Sequence, residues 1–115
     1  MQKPDIVRLR HMLEAAREAI SFLHGRSRKD LERNRMLALA LVRCIEVIGE
    51  AATRVSAETK VRYTTIPWPD ITGMRNWLIH AYFDVNLDRI WDTVTDDLPP
   101  VIAELETILR ADAGS

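Results

Sequence analysis

The chain has 115 residues, of which 47% are hydrophobic and 29% are charged, and its formal net charge is −1. This composition is typical of a single folded domain and excludes a disordered chain. The lone cysteine, Cys44, excludes an intrachain disulfide framework, and no apolar run reaches the roughly 18 residues that a membrane span needs. We therefore expect a cytoplasmic protein with one domain over residues 1–115 and no membrane segment.

The first half of the chain predicts two amphipathic helices. Pro4 and Asp5 open the first helix, and Gly25 ends it. Its apolar residues recur at spacings of three and four: Ile6, Leu9, Leu13, Ala16, Ile20 and Leu23. After the charged segment 26–35, in which Asp30 is a candidate N-cap, a long helix continues to about Ala57. The main stripe of this helix is Leu37, Leu41, Cys44, Ile48, Ala51 and Val55.

The long helix carries more apolar surface than one stripe requires. The additional apolar residues are Leu39, Val42, Ile45 and Val47. Such a helix is either central to a bundle or partly buried against another chain. Gly49, inside the helix, favours close approach of a neighbouring helix or subunit.

The second half predicts a connection followed by two more helices. Residues 60–70 form the connection, because each proline disfavours helix in the residue before it. The third helix begins near Pro69–Asp70 and continues to about Tyr82, and Asn86 or Asp84 caps the fourth. The stripe of the fourth helix is Ile90, Val94, Leu98, Val101, Leu105 and Ile108.

The fourth stripe passes through Pro99 and Pro100, which predicts a kink or two abutting helices near residues 97–99. No strand-like alternation of useful length interrupts this helical pattern. The sequence therefore predicts an all-α fold, an antiparallel four-helix bundle with one short extra helical segment.

Charge is unevenly distributed along the chain. Residues 1–83 carry 14 basic and 9 acidic side chains, whereas residues 84–115 carry 2 basic and 8 acidic ones. Thirteen of the basic residues are arginines, which suit bidentate phosphate contacts. Two interpretations stay open: a dipolar surface that aids solubility or self-association, and a nucleic-acid footprint.

The sequence lacks the residues that several kinds of functional site require. No glycine-rich phosphate loop, paired-cysteine motif or metal-binding histidine pair is present, so no metal is expected. Cys44 lies in the main stripe of the long helix and is interpreted as a buried small hydrophobe. Glu46, Glu50 and Arg54 follow one another at spacings of four and are interpreted as a solvated stripe.

Segment 73–83 contains four polar residues suited to phosphate or acid–base chemistry. On a helix, Arg75 and Tyr82 share one face, and Asn76 and His80 share a neighbouring face. Histidine shuttles protons near neutral pH, arginine can hold a phosphate, and Asn76 can orient the imidazole across one turn. A simpler interpretation is that His80 complements the helix dipole while Arg75 and Tyr82 form an ordinary surface pair.

The spacing Arg75-Asn76-x3-His80-x-Tyr82 resembles the Arg-x4-His-x-Tyr motif of the HEPN superfamily. Over nearly its whole length the chain is similar to the HepT-like branch, the toxin half of HepT–MntA toxin–antitoxin pairs. Further segments carry the likeness in matching order: 45–51, 66–76 and 90–99.

The resemblance implies a homodimer in which the motif helices of two subunits line one cleft. It also implies a metal-independent, cofactor-free endoribonuclease, in which a ribose 2′-hydroxyl attacks its own phosphate and leaves a 2′,3′-cyclic phosphate. His80 is then the proton-transfer residue, Arg75 the phosphate clamp and Asn76 the orienting residue.

The basic segment 26–35, with Arg33 and Arg35, is the candidate RNA footprint, and Trp77 is the candidate aromatic contact. For the basic segment, a solvated helix entry is an equally good interpretation.

The HepT-like branch further implies an antitoxin partner, a minimal nucleotidyltransferase of the MntA type that can form a larger complex with the homodimer. This partner neutralises the toxin by transferring AMP from ATP to the motif tyrosine, here Tyr82. Two other classes stay open: an inactive binding or substrate subunit of such a nucleotidyltransferase, and a plain helical dimerisation module.

Overall fold

The computed structural model describes residues 1–80 and 86–114, except for the side chains of Arg75, Ile79 and His80. The described part is all-helical, as predicted. Its elements in chain order are α1 (Lys3–Phe22), α2 (Asp30–Arg33), α3 (Arg35–Thr53), α4 (Ala57–Arg62), α5 (Trp68–His80), α6 (Leu87–Asp92), a π turn (Thr93–Asp97) and α7 (Leu98–Ala113). No helix in the described residues is long and apolar enough to cross a membrane.

Helix α3 is the centre of the bundle, and it packs against α1, α5 and α6. Every residue of its predicted main stripe is buried. Of the additional apolar residues, Val42 and Ile45 are also buried within the domain, whereas Leu39 and Val47 are not. The excess apolar surface is thus divided between the core and the outer face of α3. Gly49 is buried within the helix.

The predicted long helix ends earlier than expected, at Thr53, and a separate helix α4 follows over residues 57–62, the last three of which were predicted as part of the connection. The reason lies in Asp5, whose carboxylate accepts hydrogen bonds from the Ser56 N–H at 3.0 Å and the Thr59 hydroxyl at 2.6 Å. The Ser56 N–H therefore does not continue the backbone hydrogen bonds of α3. The Ser56 hydroxyl accepts a hydrogen bond from the Thr59 N–H and so caps the start of α4.

Asp5 is itself buried, and its pKa reports the strength of this network. Burial alone raises the pKa of the carboxyl, but the hydrogen bonds from Ser56 and Thr59 outweigh burial and hold the pKa below its ordinary value. Because the folded pKa is the lower one, ionised Asp5 stabilises the fold above the unfolded pKa, and this stabilisation is lost as the pH falls through the folded pKa.

Replacing Asp5 with Asn should therefore destabilise the protein by about 1–3 kcal/mol at neutral pH, because buried donors lose their charged acceptor. Thermal unfolding followed by circular dichroism should show a difference from the parent that shrinks below a pH of about 4. Glu14→Gln, at an exposed position of the same helix, is the control and should change little. A difference independent of pH would contradict the role given to ionised Asp5.

The fourth predicted helix is present, and its stripe is entirely buried. The predicted interruption before the prolines appears as the π turn Thr93–Asp97 between α6 and α7. Pro99 and Pro100 have no N–H groups for the carbonyls of residues 95 and 96, so the α-helical ladder cannot continue unchanged. Asn86 caps α6, since its Oδ1 accepts from the Arg89 N–H at 3.1 Å.

The segment between α1 and α3 differs from its prediction in two details. Asp30 is not an N-cap but the first residue of α2, and its carboxylate accepts from the Ser27 N–H at 2.7 Å. The residue that caps α3 is Asn34, whose Oδ1 accepts from the Leu37 N–H at 3.1 Å. Helix α1 ends at Phe22, and Gly25, with φ of 72°, makes the turn that follows.

Candidate active site

Helix α5 carries the polar motif, and its orientation is fixed by its apolar face. Ile71, Met74 and Leu78 are buried at spacings of three and four, and α5 packs on α3 through this face. The helix starts with Trp68, whose indole N–H donates to the Tyr63 carbonyl at 3.0 Å. The predicted start at residues 69–70 is therefore one or two residues late.

The structure places the backbone of Arg75, Asn76 and His80 in one continuous helix, so Asn76 and His80 are one turn apart as predicted. The Asn76 side chain is exposed. Tyr82, together with the predicted end of the helix, lies outside the described residues. The roles of these four residues remain expectations from the motif.

Trp77 is half-buried next to the motif positions, and the Arg89 guanidinium lies 4.3 Å from the centre of its ring. This distance is typical of a cation–π contact. The contact joins α5 to α6 across residues 81–85. One face of the predicted RNA-contacting indole is thus occupied by an arginine of the same chain.

A second contact holds the start of α6. Arg28 Nε donates to Asp88 Oδ1 at 2.7 Å, and Arg28 Nη1 lies 3.6 Å from Glu32 Oε1. The basic segment 26–35 is therefore next to the helix that follows the motif. Arg28 belongs to the predicted RNA footprint, but its contact with Asp88 was not predicted, and neither was the contact of Arg89 with Trp77, because these partners lie 60 and 12 residues apart and follow no short-range pattern.

Arg33 and Arg35 are exposed, and in the described ranges they form no ion pair. Arg35 is the first residue of α3, where its positive charge opposes the helix dipole. Local helix stability therefore does not account for this arginine.

Two other interpretations of the sequence can be compared with the structure. Cys44 is buried, and burial together with the Glu18 carboxylate raises the pKa of its thiol to about 11, so Cys44 is an inert core residue. Glu50 and Arg54 form an exposed ion pair at 3.3 Å, in agreement with a solvated stripe. Among the described side chains, no group of three or more His, Cys, Asp or Glu is placed to hold a metal ion.

Comparison with known proteins bears on this helix. The family model described as "Ribonuclease HepT-like" matches residues 12–108, which include all of α3 to α6 and the motif. The chain belongs to the HepT-like family. No solved structure matches it.

Curated relatives of this HepT-like chain cover most of its length. A protein named as a candidate RNase from Caldanaerobacter subterraneus is 35% identical over 89% of this chain and 91% of its own. One from Methanocaldococcus jannaschii is 34% identical over 96% of this chain and 92% of its own. A "probable ribonuclease HepT" from Thermococcus cleftensis is 33% identical over 85% of this chain and 93% of its own.

Proposed function

We propose that this chain is a metal-independent endoribonuclease that acts as the toxin of a toxin–antitoxin pair. The observation that carries the proposal is the HepT-like match, which extends over the motif positions on α5. Relatives whose names include RNase or ribonuclease also align with this chain over more than 90% of their own length.

The motif residues supply the groups that RNA cleavage requires. His80 would take the proton from a ribose 2′-hydroxyl, whose oxygen then attacks the adjacent phosphorus. The bond from phosphorus to the 5′-oxygen breaks. That oxygen receives a proton from a second imidazole, which would be the His80 side chain of another copy of the chain. Arg75 would hold the phosphate and neutralise the charge that develops on it, and Asn76 would orient the imidazole.

Cleavage of RNA by the purified chain in the presence of EDTA tests this proposal. The expected products are a fragment that ends in a 2′,3′-cyclic phosphate and a fragment that begins with a 5′-hydroxyl, both identified by mass spectrometry. Raising the salt concentration should raise KM, because phosphate contacts release counterions. Loss of cleavage in EDTA would contradict the mechanism.

A dimer would bring two copies of His80 to one cleft, one as the base and the other as the acid. The outer face of α3 is the proposed interface, because Met36 is 82% exposed and Leu39 45% exposed. Val47 continues this face two turns later. A specific interface of this kind buries about 1,200–2,000 Å² in total.

Light scattering should give the mass of a dimer at micromolar concentration. Introducing a charge by Leu39→Glu should dissociate it, since the carboxylate would be buried in the interface. Val61→Glu is the matched control, because Val61 is 76% exposed but lies on α4, away from the proposed face. A monomeric parent, or equal dissociation by both variants, would exclude this interface.

Arg33 and Arg35 are proposed as RNA contacts, on the basis of their exposure and of the unfavourable position of Arg35 at a helix start. Trp77 keeps its proposed role with Arg89 stacked on it, since an arginine on an indole can present its edge to a phosphate. A nucleotidyltransferase antitoxin that modifies Tyr82 completes the proposal.

A further inference from the structure

A groove of about 1110 Å³ lies between α5 and the continuous run of α6, the π turn and α7. Its apolar lining includes Ile71, Met74, Trp77 and Val101. Cavities that hold small molecules span about 300–1,000 Å³, so this groove is large enough for a segment of polypeptide.

The groove is strongly acidic. Its carboxylates come from four elements of the fold, and they are Asp70, Asp88, Asp92, Asp96, Asp97 and Glu104. Among the described side chains of the lining, one is cationic, Arg89, and it is already stacked on Trp77. Asp88 is paired with Arg28, but the other five carboxylates form no ion pair within residues 1–80 and 86–114.

The carboxylates repel one another in the folded protein. Partial burial, together with the charges of Asp96, Asp92 and Asp70, raises the pKa of Asp97 above its ordinary value. Acidic residues are favoured at helix starts, which accounts for Asp70 at the start of α5 and for Asp96 and Asp97 ahead of α7. The helix dipoles do not require these acidic residues to line the same groove. Repulsion between their carboxylates destabilises the fold.

Thr93 gives a second, independent indication of a ligand. It lines the groove and is only 4% exposed. Its hydroxyl makes no side-chain hydrogen bond to any described residue, although Thr72, Thr95 and Thr107 each bond a carbonyl of their own helix. Among the described residues, the only fully buried side-chain polar atom without a partner is Arg28 Nη1, so the Thr93 hydroxyl opens onto the groove, where a ligand can reach it.

We propose that this groove docks a basic segment of a partner protein, one that combines Lys or Arg side chains with at least one apolar side chain. The cationic groups would pair with the five carboxylates that have no ion-pair partner among the described residues, and the apolar side chain would contact Met74 and Val101. The six carboxylates would repel RNA phosphates, so the proposed RNA contact of Trp77 and Arg89 does not extend along the groove. None of the three proposed catalytic residues is in the described lining, so peptide binding is measured independently of nuclease activity.

A short synthetic peptide of Arg and Leu is the probe, and a peptide with Glu in place of Arg is its control. Calorimetry should detect binding of the Arg peptide but not of the Glu peptide. Binding of the Arg peptide should weaken as the salt concentration is raised. Amide shifts in the NMR spectrum should change at residues 70–77 and 92–104. Neutralising two groove carboxylates in Asp96→Asn/Asp97→Asn should weaken binding about tenfold, since each removes an attraction to the peptide.

The matched control is Glu14→Gln/Glu58→Gln, which removes the same charge from exposed positions outside the groove. This control should bind the Arg peptide as the parent does. The folded state of the groove variant is checked by thermal unfolding, where relief of repulsion at Asp97 should leave Tm equal or higher. Equal weakening by both double variants, no binding of the Arg peptide, or RNA bound at amides 92–104 would overturn the proposal.

Discussion

Replacing His80 with Ala should reduce RNA cleavage about 10²–10⁴-fold while leaving the helical spectrum and Tm of the protein unchanged. The expected loss follows from removing proton transfer at both the attacking 2′-hydroxyl and the departing 5′-oxygen. Arg75→Ala should lose a similar amount, because the developing charge on the phosphate is then unopposed. Arg75→Lys should recover only part of the rate, since an ammonium lacks the planar fork of a guanidinium.

The matched controls are His11→Ala and His24→Ala, which remove exposed histidines far from α5 in sequence. Both should cleave at the parental rate, and parental kcat should give a bell-shaped pH profile that reports one acid and one base. If His80→Ala cleaves as fast as the parent, the motif is not catalytic. If the parent itself does not cleave RNA, the interpretation as a substrate subunit of a nucleotidyltransferase is favoured instead.

Replacing Tyr82 with Phe should preserve nuclease activity while preventing its neutralisation by AMP transfer. A phenol with a pKa near 10 is a poor base at neutral pH, so the Phe variant should keep most of the nuclease rate. AMP attached to Tyr82, seven residues after Arg75 in the motif, would add bulk and a negative phosphodiester, which would repel the RNA backbone. The Phe variant should therefore resist neutralisation by the nucleotidyltransferase partner and ATP.

Intact-mass measurement after incubation with the partner and ATP should show increments of one or more AMP groups on the parent and none on Tyr82→Phe. The chain has one other tyrosine, Tyr63, which is half-buried and whose carbonyl accepts from the Trp68 indole. Tyr63→Phe is thus the control and should be modified like the parent. Increments that persist on Tyr82→Phe would assign the modification to another residue.

The sequence alone determined those features of the fold that depend on local periodicity. The stripes of α3 and of the last helix were predicted in full, because one buried face of a helix repeats every three to four residues whatever lies opposite. The interruption ahead of Pro99 was predicted for a similar reason, since a missing N–H affects carbonyls only four residues away. The motif spacing on α5 is equally local.

Tertiary structure alone decided the features that join distant residues. Asp5 ends α3 and begins α4 by binding Ser56, which is 51 residues away, and no pattern near residue 56 shows that acceptor. Arg28 reaches Asp88 over a similarly long separation. The groove likewise exists only because α5 packs on α3 and α7 packs on α1, which places acids that favour single helix starts along one concentrated negative surface. Local sequence specifies each helix, whereas packing decides which side chains meet.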